Sequence, residues 1–138
     1  MRAAPLMILT VLCLAPARPA LAASPRIDYM LHCQGCHLAD GTGVPGTIPD
    51  LRGSMAVFLS VPGGREFLIQ VPGTAQAPLA DNAVAELLNW MLLEFSAPEL
   101  PPDFDPYTGE EVGTYRKQPL TDVSRVRQEL IEAIDRSR

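Results

Sequence analysis

Two cysteines two residues apart, followed at once by a histidine (Cys33-Gln34-Gly35-Cys36-His37), are the side chains of this 138-residue sequence best placed to do chemistry. Thiols at that spacing have few uses. A disulfide between them would close so small a loop that it restrains little of the unfolded chain. A redox dithiol belongs at a helix start after a strand of a thioredoxin-like βαβ unit, and residues 24–33 contain no apolar strand run. Zinc would need further ligands, and the other histidine, His32, is pressed against Cys33. The pattern suits covalent attachment of haem. Each thiol adds to one vinyl group, and His37 is placed beneath the iron as an axial imidazole. Dithiol chemistry stays as the alternative use of Cys33 and Cys36.

Haem attachment of this kind takes place outside the cytoplasm, and the first residues agree with export. Arg2 gives a positive start, residues 6–15 form a short apolar stretch, and Ala20-Leu21-Ala22 is a small-x-small cleavage site. That order reads as a secretory signal peptide over residues 1–22, with the mature protein in the periplasm. The apolar stretch is too short to span a bilayer, and Pro16 and Pro19 interrupt it. No membrane span is therefore expected after cleavage, and Cys13 is read as an apolar residue lost with the signal. Eleven basic and 16 acidic residues give a net charge of −5. Removal of Arg2 and Arg18 makes the mature chain more acidic still. Such a balance argues against a nucleic-acid partner. It predicts instead a protein partner with a basic docking patch and an association rate that falls with salt. A hydrophobic content of 47% excludes a wholly disordered chain, and the length fits one domain.

The elements that must position these residues are helical. From Asn82 to Phe95 the apolar residues Val84, Leu87, Leu88, Met91, Leu92 and Phe95 recur at three and four positions, behind Asp81 as an N-cap. Residues 63–71 also read as a helix, which Pro72-Gly73 stops. Residues 96–106, with Pro98, Pro101, Pro102 and Pro106, read as a stiff, extended connector. A short turn of helix is predicted from Thr108 to near Lys117. A longer helix follows from Thr121 to Arg138, where Val123, Val126, Leu130, Ile131 and Ile134 form a stripe that must be buried. Packing in cis is the expectation for that stripe, with docking onto a partner as the alternative.

Residues 26–95 resemble a small class I bacterial cytochrome c. Tyr29 stands four residues before Cys33, where the family has an aromatic on its first helix. Residues 38–43 form a polar, glycine-rich loop of the family's type. Ile48-Pro49-Asp50-Leu51-Arg52-Gly53 matches the family's Gly-Pro-x-Leu-x-Gly segment, with Ile48 in place of its first glycine. The resemblance implies an all-α fold of a few helices wrapped around one covalently bound haem c. Cys33 and Cys36 would attach the group, His37 would ligate iron, and Leu51 would pack on the haem face. The Pro49 carbonyl would accept the imidazole's other N–H, fixing its tautomer. Trp90 would meet the first helix near Tyr29. On this reading residues 23–95 are the cytochrome domain, and residues 96–138 are an addition ending in an extra helix.

The sequence departs from the family at the sixth ligand. The loop before the closing helix, residues 71–78, contains no methionine, where members usually place one. Met30 and Met91 fall on the two helices flanking the core. Met55, in a segment without a strong helical pattern, is left as the distal candidate on a loop able to swing across the haem. Its alternatives are simple packing, or an open or water-bound position near Thr74 or Gln76. Arg52 and Arg65 are candidates to pair with haem propionates or to lie in solvent.

The function implied is a periplasmic monohaem carrier that passes single electrons from a dehydrogenase to a downstream acceptor, not an enzyme in its own right. Two alternatives stand beside it: a ligand-binding or sensor cytochrome with an open iron, and a haem subunit of a larger oxidoreductase. Lys117 is the only lysine, which argues against docking through a lysine ring.

Overall fold

A computed structural model describes residues 24–138; the signal-peptide reading and Cys13 lie outside the described residues. Ser24 in extended conformation and Pro25 at the first helical position start α1 (Pro25–His32), since proline's fixed φ and missing N–H suit a helix N-terminus. Cys33 breaks the helix, and a single turn, α2 (Gln34–His37), carries Cys36 and His37. Non-helical chain follows, pinched by one isolated bridge between Val44 and Ile48. A 3-10 turn (Ala56–Ser60) leads to α3 (Gly64–Gln70) and the short α4 (Pro72–Ala75). Then come α5 (Asp81–Phe95), a second 3-10 turn (Ala97–Glu99), α6 (Gly109–Tyr115) and α7 (Val123–Ser137). The fold is all-α, as expected.

The long helix α5 is the axis of the core. Its face of Val84, Leu87, Leu88, Met91, Leu92 and Phe95 is buried, as the periodicity requires. Tyr29 of α1 meets it through Trp90 and Phe95, with ring centroids 5.4 and 5.1 Å away in tilted geometry. Such pairs contribute about 0.5–1.5 kcal/mol each beyond the area they bury. The cluster fixes where α1 ends, and so where the Cys33–His37 segment begins.

Residues 96–138 fold back onto this core. Tyr107, Val112, Leu130 and Ile134 are buried in the same hydrophobic cluster as Tyr29, Phe67 and Leu92. Helix α6 lies so close to the start of α5 that a Cβ at Gly109 would overlap the Asn82 side chain. Asn89 pairs with the Tyr107 backbone in both directions, donating to its carbonyl (3.0 Å) and accepting from its N–H (2.8 Å). The Arg65 guanidinium grips both carboxylate oxygens of Glu111 (2.5 and 2.8 Å) and lies 4.1 Å from the Tyr107 ring centroid. Helix α7 lays Leu130 and Ile134 against the first 3-10 turn and α3, so its apolar stripe is packed in cis.

Local details differ from the sequence reading. Ala80 occupies the N-cap position of α5 and Asp81 is already helical. Residues 71–78 are not wholly loop, because Pro72 initiates α4 instead of merely ending α3. The connector is extended only in part, since Ala97–Glu99 close a 3-10 turn. Helix α7 begins two residues later than expected, at Val123, with the Asp122 carboxylate accepting the Arg125 N–H at 3.1 Å.

Candidate haem-binding site

The break at Cys33 gives each candidate attachment residue its own orientation. Cys33 closes α1, its N–H bonded to the Tyr29 carbonyl at 2.9 Å, while Cys36 and His37 ride on the next turn. The turn ends at Leu38, the one non-glycine residue with positive φ (50°) among the described residues. That conformation costs about 1–3 kcal/mol, and the Tyr29 hydroxyl stabilises it by donating to the carbonyls of Leu38 (2.7 Å) and His37 (3.1 Å). Burial, with the charges of Cys33 and Asp40 beyond it, pushes the Tyr29 phenol up to about 12, so it remains a donor throughout the neutral range.

His37 Nδ1 lies 3.1 Å from the Pro49 carbonyl oxygen. A carbonyl only accepts, so the proton resides on Nδ1 and the Nε2 lone pair is left for a metal. Burial pulls the imidazole below its ordinary pKa, opposed by the Pro49 hydrogen bond and the Asp50 charge. Pro49 is brought into reach by a tight loop. A Cβ at Gly43 would run into the Ile48 and Pro49 carbonyls, and the Leu51 N–H donates to Gly41 O at 2.9 Å. Cys33 and Cys36 are not joined in a disulfide. Burial, followed by the Asp28 and Cys36 charges, pushes the Cys33 thiol up to about 11. A dithiol oxidoreductase needs the opposite, a stabilised thiolate.

Both thiols, His37, Pro49 and Leu51 line one cavity of about 390 Å³. The rest of its wall is mainly apolar, from Met55, Phe58, Phe67, Leu68, Leu88 and Met91, with residues 71–74 closing another part. Two additive thiols, a neutral imidazole and an apolar slot are the donor set that haem c requires, and the residues fit it. His32 is exposed at the rim.

The sixth-ligand candidates are sorted by position. Met30 is 51% exposed on α1. Met55 is 4% exposed and lines the cavity, but it is not on a loop able to swing. It precedes the first 3-10 turn, its N–H donating to Ser96 Oγ (3.1 Å), which in turn donates to the Leu51 carbonyl (3.1 Å). Met91, read from sequence as core alone, also reaches the cavity wall. Thr74 lines the cavity, whereas Gln76 is exposed and does not.

Neither arginine first considered for the propionates lines the cavity. Arg52 turns onto Asp50, donating from Nε (3.1 Å) and Nη2 (2.7 Å), and Arg65 is held by Glu111. Arg52 holds the Asp50 carboxyl below its ordinary range, chiefly by that hydrogen bond. Sequence reasoning missed two contributions of the added segment. Val123 and Arg127 of α7 line the cavity. Arg116, 14% exposed, donates to the carbonyls of Ala75 (3.1 Å), Ala77 (2.6 Å) and Leu79 (2.8 Å) and to Asp81 Oδ1 (3.0 Å). It thus fastens the segment in which the family's methionine would stand. Nothing in local spacing signals these contacts, which join residues 35–41 positions apart.

No family model matches the chain. Among curated proteins, a cytochrome c-552 of Thermus thermophilus is 32% identical over 120 residues, covering 74% of this chain and 81% of that protein. A second cytochrome c-552 of the same species is 34% identical over 107 residues, covering 64% of this chain and 82% of the relative. Likeness of that extent reaches well beyond the attachment motif and takes in most of a whole relative: this chain belongs to the small c-type cytochromes, electron carriers that bind haem c covalently.

Proposed function

We propose that the protein is an exported, monohaem carrier that passes single electrons between a dehydrogenase and a downstream acceptor in the periplasm. The observation that carries this reading is the imidazole of His37, kept neutral by burial and oriented by Pro49 in a wall that also bears both thiols. Haem bound there supplies the one-electron ferric–ferrous couple. Cys33 and Cys36 tether the group, and His37 Nε2 ligates the iron. The Pro49 carbonyl makes the imidazole a stronger donor. Leu51 and Phe67 keep the pocket dry. Met55, buried and pinned beside the cavity, is the proposed sixth ligand, and its thioether would favour the ferrous state. The acidic surface suits partners with a basic patch, with association that slows as salt rises.

A second reading, an open iron that binds a small ligand, is favoured by one observation. Thr74, which offers no thioether, lines the cavity in the segment where the family's methionine is missing. Absorption spectra of protein matured in a periplasm separate the two. A low-spin ferric spectrum with a methionine–iron band, and a ferrous spectrum indifferent to CO, are expected of the carrier. A high-spin spectrum that shifts with CO would transfer the assignment to the ligand-binding reading. Absence of covalent haem would overturn both.

A further inference from the structure

Among the described residues, Arg52, Arg65, Arg116 and Arg125 each pair with a protein carboxylate. Arg127 does not, although it stands half-buried at the wall of the cavity. Its guanidinium carbon lies 5.8 Å from the Phe58 ring centroid. Arg127 also lines an adjoining cleft of about 450 Å³ between residues 45–50 and Ser124, Arg127 and Gln128 of α7. It therefore stands where the apolar slot meets a polar mouth. A half-buried guanidinium is costly without an anion to accept its hydrogen bonds. The one acid lining either space, Asp50, already receives two hydrogen bonds from the Arg52 side chain.

We propose that Arg127 is the carboxylate-binding residue of the haem site, taking a propionate of the cofactor at the junction of the cavity and the cleft. The proposal rests on the cytochrome assignment and gives α7 a role beyond packing: it carries in the positive charge that the rest of the site has committed elsewhere. The cleft's other polar lining residues, Thr47, Ser124 and Gln128, are neutral hydrogen-bonding groups that suit the same anion. The charged or titratable groups facing this region are Arg127 and Asp50, together with His32, His37, Cys33 and Cys36 of the attachment segment. The thiols and His37 are consumed in holding haem, and Asp50 is neutralised by Arg52.

A guanidinium beside a carboxylate favours its ionised form by about 1–3 pKa units. Loss of Arg127 should therefore lower the propionate's acid dissociation constant at least tenfold. The ferric iron carries one more positive charge than the ferrous, so the propionate binds its proton more tightly in the ferrous state. The reduction potential then falls with pH only between the ferric and ferrous pKa values. In the wild-type holoprotein that window should lie on the acid side, leaving the potential flat near neutrality. In Arg127→Met, which keeps the apolar stem over Phe58, the window should move upward, and Arg127→Lys should return it part of the way. Hydrogen exchange supplies an independent readout: amides of residues 123–134 should be protected more strongly in wild-type holoprotein than in Arg127→Met holoprotein. Fully haem-loaded variants with wild-type potential–pH curves and unchanged exchange in α7 would overturn the proposal while leaving the cytochrome assignment intact. A wild-type protein without covalent haem would overturn both.

Discussion

Replacing Arg116 by alanine tests the claim that residues 96–138 hold the cavity wall in place. Four hydrogen bonds are lost, three to backbone carbonyls of residues 75–79 and one to Asp81. Hydrogen bonds from a charged donor contribute about 1.5–3 kcal/mol each, so three carbonyls would sum to about 4.5–9 kcal/mol if left dry. They do not stay dry, because shortening the side chain lets water follow it to the carbonyls. The Asp81 pair is half-exposed, at 49% for the carboxylate, and adds at most about 1 kcal/mol. The expected net loss is about 2–4 kcal/mol, at the upper end of ordinary single substitutions. With an m value of about 2 kcal/mol/M, the urea midpoint should fall by about 1–2 M. Hydrogen exchange should quicken in residues 74–80 first and leave α1 untouched. Arg116→Lys keeps the charge but not the planar fork, and should recover less than half of the loss. A destabilisation below about 1 kcal/mol, or exchange unchanged in residues 74–80, would refute the reasoning.

Four other outcomes are expected. Cys36→Ala should leave haem on at most one thioether, read by mass and by the reduced haemochrome band; normal double attachment would contradict the assignment of Cys33 and Cys36. Met55→Ala should turn a low-spin ferric spectrum high-spin if Met55 ligates iron, and an unaltered spectrum would assign Met55 to packing. Tyr29 has a folded-state pKa of about 12 against an ordinary 10.0, so its contribution is complete below 10 and is lost as pH rises towards 12. Tyr29→Phe should be less stable at neutral pH, where the bonds to His37 and Leu38 go, and should show a shallower fall in stability over that alkaline window. Truncation after Ser96 should uncover the faces that Tyr107, Val112, Leu130 and Ile134 cover. The fragment should bind a hydrophobic dye and melt well below the full chain, and equal stability would show that the added helices are dispensable.

The candidate attachment residues were legible because their chemistry is local: two thiols and an imidazole within five positions. The helix from Asn82 to Phe95 was legible because each turn repeats the same burial. The short helix from Thr108 to near Lys117 was legible in the sequence, and in the structure the Thr108 hydroxyl caps it by accepting the Glu111 N–H. Residues 71–78 were harder. Pro72 ends one helix and starts the next, and which it does depends on what packs around it. Arg65, left open in the sequence between a propionate and solvent, takes neither, because Glu111, 46 residues away in sequence, folds beside it.

By itself, then, the sequence determined the candidate haem-binding motif, the helical class and the family resemblance, since each is written in spacing that survives in an unfolded chain. Only the tertiary structure decided which arginines are occupied, where Met55 is pinned, and that the last 43 residues complete the cavity. Charges and hydrogen bonds act over a few ångströms of space. Arg116 and Ala77, or Arg127 and Phe58, become neighbours only after the hydrophobic core has folded the chain back on itself.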